Sequence, residues 1–335
     1  MTPRISVVMA SYNHAAFVGE AVQSVLNQSF QDFEFVITDD GSRDGTPDVI
    51  RGFSDARIKF EVYSENRGSV RAGNAAIRRS SGEYIARLNS DDFFLPGKLE
   101  QQVKFLDANP DIAAVFGLPR LIDERGNALS GGLAEFTYPF AHLRPSRAEW
   151  LRLMFFWGNG FCHPTVMMRR SAFDEIGLLD PRLASLPDFD LWVRLCMKHN
   201  VFVMQTELTA FRRLDNNRNV SGVRPDTKLR GPFEYFQVLK HYRRLEPKFA
   251  RKIFAEDLAR LNIDPKLRFD IWLAELALSS SWPQHKLFAL DTLFEGYRDG
   301  DDPRRLIRAS GTVDVFGVAL ADELRRLILS RGKDS

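Results

Sequence analysis

From residue 4 to about residue 117, strand-like and helix-like patterns alternate at short spacing, and this constrains the fold more than any other property of the chain. Ile5-Ser6-Val7-Val8-Met9-Ala10 reads as a first strand. Ala15 to Asn27 puts Phe17, Ala21, Val22, Val25 and Leu26 at helical spacing, which gives a helix one face to lay on a sheet. Phe33 to Thr38 is a second strand, and Asp48 to Phe53 a short helix with Pro47 suited to its first turn. Ile58 to Tyr63 alternates as a third strand, Val70 to Arg79 reads as a helix, Glu83 to Leu88 as a fourth strand and Ala113 to Gly117 as a fifth. The fold class predicted is α/β, a mostly parallel sheet with crossover helices.

Ligands of open parallel sheets lie beyond the carboxyl ends of the strands, where loops and helix starts converge. Three strand ends here are unusually polar: Ala10-Ser11-Tyr12-Asn13, Asp39-Asp40-Gly41-Ser42 and Asn89-Ser90-Asp91-Asp92. In parallel strands all three face one side, which predicts a polar ligand site. Adjacent carboxylates such as Asp91 and Asp92 repel, each raising the other's pKa. Solvent in a turn, or a divalent cation shared with a substrate's phosphates, relieves that repulsion.

The remaining sequence bounds function loosely. A chain of 335 residues with 44% hydrophobic and 27% charged content is large enough for a substantial core plus an appendage. Its formal net charge of +2 is too small to argue for nucleic acid. Cys162 and Cys196 stand far apart, without the spacing of a disulfide framework or structural zinc, so a reducing, cytoplasmic setting is expected. The first strand begins too early for a signal peptide core, and no run reaches membrane-spanning length.

Three segments are expected: 1–117 as the α/β half that binds the ligand, 118–224 as the other half of the same domain, and 225–335 as a mainly helical region. Within the second, Asp123 to Asn127 reads as a hairpin tip, Ser130-Gly131-Gly132 with Pro139 and Pro145 as a surface excursion, and Ser146 to Phe156 as a helix. Phe161 to Met168 reads as a strand, with a helix over Ser171 to Ile176. Asp188 opens a helix whose Phe189, Trp192, Val193 and Cys196 share a face, where a carboxylate also serves as a simple cap. In the third segment Gly231-Pro232 starts a helix, Pro247, Pro265, Pro283 and Pro303 punctuate the rest, and Lys228, Arg230, Lys240, Arg243, Arg244, Lys248, Arg251 and Lys252 stand among aromatic residues. Solvated basic faces over an aromatic core, peripheral contact with an anionic membrane and pairing of two copies all suit that pattern.

Through these motifs the chain resembles the family 2 glycosyltransferases, inverting enzymes of the GT-A fold. The resemblance runs through Ile5 to Asn13, Asp32-Phe33-Glu34, Asp39 to Thr46, Glu65-Asn66-Arg67-Gly68, Gly82 to Ile85, Asn89 to Asp92, His163 to Met167 and Asp188 to Trp192. It implies a nucleotide-sugar site at Ala10, Ser11, Tyr12, Asn13, Asp40, Arg67, Arg71, Asn89, Ser90 and Asp91. Tyr12 would stack on the base and Asp40 accept from its ring. It implies Mg or Mn at Asp91 and Asp92, with His163 as a minor further ligand, and Asp188 as the general base. The partners implied are a nucleoside-diphosphate sugar, UDP above all, and a hydroxyl on a glycan or glycolipid, with 118–224 as the acceptor-side half of the catalytic domain. Three positions depart from the pattern. Asn89 stands in place of an acid, Pro187 in place of the acid before Asp188, and Gly73 where an arginine is often found, with Arg67 or Arg71 as candidates to supply the missing cationic charge. On these departures a non-catalytic nucleotide-sugar binder or scaffold is the alternative.

Overall fold

The computed structural model describes residues 2–129, 146–214 and 225–297, with the backbone alone for 225–228. In chain order the first part carries β1 (Ile5–Ser11), α1 (Val18–Leu26), β2 (Phe33–Asp39), α2 (Thr46–Arg51), β3 (Ile58–Val62), α3 (Ser69–Arg79) and β4 (Tyr84–Asn89). Then come β5 (Phe93–Phe94), α4 (Lys98–Ala108), β6 (Ile112–Ile122), α5 (Arg147–Trp157), β7 (Met167–Arg169), α6 (Arg170–Ile176), α7 (Pro187–Lys198) and β8 (Asn200–Arg212). The strands form one sheet in the order β3-β2-β1-β4-β7-β6-β8-β5. β3, β2, β1 and β4 are parallel, and β7 runs antiparallel between β4 and β6.

Alternation of side chains across the pleat explains how the sheet is clothed. Val7 and Met9 of β1, Phe35 and Ile37 of β2 and Ala86 and Leu88 of β4 share a core with Val18, Val22 and Val25 of α1 and Leu99, Val103 and Leu106 of α4. Each of the Val, Leu, Ile, Phe and Met side chains among them contributes roughly 1.5–3 kcal/mol on burial. Helix α3 packs on β1 and β2.

Several elements depart from the sequence expectation. The second strand's neighbour α2 begins at Thr46, and the helix after β1 only at Val18, because His14 to Phe17 form a turn in which the Phe17 N–H donates to the His14 carbonyl at 2.9 Å. Phe161 to Met168 is not one strand, since Pro164 places His163–Thr165 in a 3-10 turn before the short β7. The fifth strand expected over Ala113 to Gly117 extends as β6 to Ile122, and its partner β8 was not foreseen. The turn over Asp123 to Asn127 is present, with the Asp123 N–H donating to the Asn127 carbonyl at 2.9 Å. The expected excursion over Ser130 to Pro145 and the punctuation at Pro303 lie outside the described residues.

The chain divides into two compact units after Lys228. The second unit takes up α8 (Pro225–Leu239) from Leu229 on, a helix that begins before Pro232 and keeps it inside, and contains α9 (Pro247–Arg260), α10 (Phe269–Leu278) and α11 (Pro283–Glu295). Tyr242, Phe254, Trp272 and Phe288 are buried in it. Among the described residues three cations of its basic cluster are paired internally, with Lys240 at 3.2 Å and Arg243 at 2.5 Å from Asp291 and Arg230 at 3.7 Å from Glu234. Lys240 also lies over Phe236 and Arg243 over Phe288, so aromatic packing and charge pairing use part of that cluster. Among the described residues, no helix is long and apolar enough to cross a membrane.

Candidate active site

Register brings the polar strand ends side by side. Ser11 pairs with Asp39 and Ala10 with Asn89, so the three loops leave one edge of the parallel sheet together. They are also bonded to one another. The Asp39 carboxylate accepts from the Ser11 hydroxyl at 2.7 Å and from the Ser42 N–H at 2.8 Å. His14 Nδ1 lies 2.8 Å from Ser90 Oγ, linking the loop after β1 to the end of β4. Asn13 sits at φ 52°, a left-handed conformation that asparagine tolerates, and its side-chain oxygen accepts from the Arg43 N–H at 2.9 Å. Tyr12 is left 38% exposed.

Asp40 does two things at once. Its two oxygens accept from the N–H groups of Arg67 and Gly68 at 2.7 and 2.9 Å, which fixes the loop ahead of α3. Gly41 permits the approach, since at φ +73° an added Cβ would lie 2.6 Å from the Glu65 carbonyl carbon. Burial pushes the Asp40 carboxyl above its ordinary range, against these N–H bonds. Beside the same loop, Tyr63, Arg67, Arg71, Asn74, Arg78 and Pro181 line a cleft of about 400 Å³. Arg67 stacks over Tyr63 with its guanidinium carbon 4.9 Å from the ring centre.

The acidic pair divides its labour. Asp92 is buried and accepts from the Arg212 backbone N–H at 2.7 Å and from the Asn89 amide at 2.8 Å, so it ties β4 to the end of β8. Burial and the neighbouring Asp91 push its carboxyl well up. Asp91 is half-buried, and its backbone carbonyl accepts from Arg212 Nε at 2.9 Å, while its carboxylate bonds no other residue among those described; burial raises that carboxyl, and His14 and Arg212 oppose the rise. Of the two acids placed at a metal, Asp91 is therefore the one open to a ligand. Among the described residues no three His, Cys, Asp or Glu side chains gather as a metal cluster, so His163 does not join Asp91 and Asp92. His163 instead lies near Trp192 with its imidazole held well below the ordinary range by burial and by Arg87, an environment that opposes protonation. A lone open carboxylate fits a magnesium-like or manganese-like ion only when phosphate oxygens complete the shell.

Asp188 is the second residue of α7, behind Pro187, and its Oδ2 accepts from the Asn159 amide at 2.8 Å. Asn159 is itself turned by the Phe161 N–H, which donates to its side-chain oxygen at 3.0 Å. Burial raises the Asp188 carboxyl, while the Phe189 N–H, Asn159 and Arg87 restrain the shift. The start of α7 is clamped as well. Arg194 pairs with Asp190 at 2.7 Å and donates to the carbonyls of Gly177 and Leu178, and Asn74 donates to Leu179 at 2.8 Å. Asn159, Arg212 and Arg87 escaped the sequence reading. Gly158-Asn159-Gly160 offered a signal as a turn, whereas Arg212 ends a strand that its sequence does not announce.

A sheet whose parallel half ends in polar loops bonded to one another, with an arginine-lined cleft beside one of them and a carboxylate held at a helix start, defines a GT-A-like α/β protein. The sequence pattern described as Glycosyl transferase family 2 matches residues 6–177, and the chain belongs to that family. It is 29% identical over 245 residues to an uncharacterized glycosyltransferase of Methanocaldococcus jannaschii, covering 72% of this chain and 80% of that one. It is 32% identical over 196 residues to an uncharacterized glycosyltransferase of Rickettsia conorii, covering 57% of this chain and 31% of that one. Among solved structures, it is similar in fold to Staphylococcus aureus TarS 1-349 in complex with UDP-GlcNAc, with a TM-score of 0.57 and 18% identity over 94% of this chain and 81% of that one. The mannosyltransferase PcManGT of Pyrobaculum calidifontis, in complex with GDP-Man and Mn2+, gives 0.53 and 17% over 93% and 80%.

Proposed function

We propose that the chain transfers a sugar from a nucleoside diphosphate to a hydroxyl of a glycan or glycolipid with inversion, and that Asp188 is the general base. The observation that carries this reading is the Asp188 carboxylate, oriented by Asn159 at 2.8 Å and raised by burial toward the range where a base both ionises and accepts a proton effectively. It would take the proton of the acceptor hydroxyl as that oxygen attacks the anomeric carbon opposite the leaving diphosphate.

Tyr12 and Asp40 flank the place for the base, and Asn89 and Ser90 that for the ribose. Asp40 still has acceptor capacity beyond its two backbone bonds, because each carboxylate oxygen carries a second lone pair. The aromatic face and single acceptor suit a pyrimidine, which favours UDP. Arg67 and Arg71 line the neighbouring cleft and bring charge toward the diphosphate. A divalent ion at Asp91, when bound, would stabilise the charge developing on the leaving group.

The alternative of a non-catalytic binder rests on Asn89, Pro187 and Gly73, none of which removes Asp188. A screen of UDP-, GDP- and dTDP-sugars by thermal shift, with and without Mn, followed by assay of nucleoside diphosphate release, tests both. Binding with release is expected. Binding without any release favours the binder, and no binding at all sinks both readings.

A further inference from the structure

Arg87 lies on β4 two residues before Asn89, so the two side chains leave the same face of the strand. It is only 9% exposed, and its Nε and Nη1 have no hydrogen-bond partner among the described residues. Burial lowers its pKa to about 10, which leaves the guanidinium charged at neutral pH. Its electrostatic neighbours are Asp188, which stabilises that charge, and the neutral His163. No ion pair is closed with either among the described residues. Gly73 of α3 makes the space: an added Cβ would stand 3.2 Å from Arg87 Nη2. The helix position from which a cation was expected thus gives its room to a cation on the facing strand.

Buried arginine N–H groups are seldom left unfilled, because an unanswered donor retains its desolvation cost. Here the residue stands two positions before Asn89 and feels the charge of the proposed base. We propose that Arg87 is a substrate-binding residue whose unfilled N–H groups receive an oxyanion carried by the sugar nucleotide. Guanidinium suits this task because its planar donors match phosphate and carboxylate oxygens. The oxyanion is either the β-phosphate of the diphosphate or a carboxylate on the transferred sugar, and the inference rests on the nucleotide-sugar reading above.

The test compares wild type, Arg87→Met and Arg87→Lys in calorimetric binding of UMP, UDP, UDP-glucose and UDP-glucuronate, with the guanosine mono- and diphosphates in parallel. Circular dichroism checks that each variant is folded. If the diphosphate is the partner, Arg87→Met loses on the order of 10- to 100-fold in affinity for UDP and both UDP-sugars while UMP changes little, and lysine restores part of the loss. If a sugar carboxylate is the partner, only UDP-glucuronate suffers. Equal affinities in wild type and variant, or an equal loss that includes UMP, overturn the proposal and leave glycosyl transfer standing. Wild type that binds none of these nucleotides overturns both. Repeating the series in an Asp188→Asn background separates substrate binding from a counter-ion role: the loss persists if Arg87 holds substrate, and its disappearance overturns the proposal.

Discussion

At the scale of single residues, the candidate site separates groups that hold the protein together from groups left open to a ligand. Asp188→Asn keeps the shape of the side chain and removes its basicity, so kcat is expected to fall about 100- to 10,000-fold while nucleotide affinity is unchanged. Because burial raises this carboxyl, wild-type activity should climb with pH through a limb above the ordinary aspartate range, and turnover of Asp188→Asn near the wild-type rate would remove the residue from its role. The acidic pair makes a sharper contrast. Asp91→Ala should abolish the gain in nucleotide affinity on adding Mn. Asp92→Ala should instead lower stability by about 1–3 kcal/mol in urea unfolding, since it leaves the Arg212 N–H and the Asn89 amide without their acceptor. If both variants lose the Mn effect with stability intact, the division of labour is wrong. The strand-end motifs and Asp188 were legible in the sequence because each sits where a local pattern stops. Asn159 and Arg87 were not, because their importance depends on what lies across from them in space.

At the scale of elements, the parallel half was legible because β1, β2 and β4 are short apolar runs between helices with one apolar face. β8 was obscured by Gln205, Thr206 and Glu207, which interrupt its alternation, and the 3-10 turn at His163–Thr165 by apolar neighbours that mimic a strand. One buried charge shows how β2 is anchored to its neighbours. Glu34 is 4% exposed, accepts from Ser6 Oγ at 2.6 Å and from Ser81 Oγ at 3.0 Å, and pairs with Lys59 of β3. Burial alone would raise its carboxyl, but Lys59, Ser6 and Ser81 together hold it down at about 2. A depressed folded-state value means that this stabilisation is present above the unfolded value and is lost as pH falls from the model-peptide range toward 2. Glu34→Gln should therefore cost about 2 kcal/mol at pH 7 and flatten the acid side of the stability profile. Parallel acid profiles for wild type and variant would show that Glu34 does not anchor the strand.

At the scale of the whole molecule, every candidate donor-site residue from Ala10 to Asp188, together with Arg212, falls in the first compact unit, which ends at Lys228. That unit contains the complete eight-stranded sheet and its helical cover among the described residues. The second unit has a core of its own, built on Tyr242, Phe254, Trp272 and Phe288. Hydrophobic burial is proportional to the area taken from water, so a sheet with a core of its own should stay folded when the helical unit is removed. A chain ending at Lys228 is expected to melt cooperatively and to keep the full chain's thermal shift with the nucleotide that the donor screen identifies. Its sugar transfer to a macromolecular or lipid acceptor is the property expected to fall, because every proposed donor residue is retained while the basic and aromatic residues after Lys228 are removed. Full transfer by the truncated chain would exclude acceptor handling by the second unit, and loss of the nucleotide shift in a folded truncated chain would show that the donor station is not contained within the first.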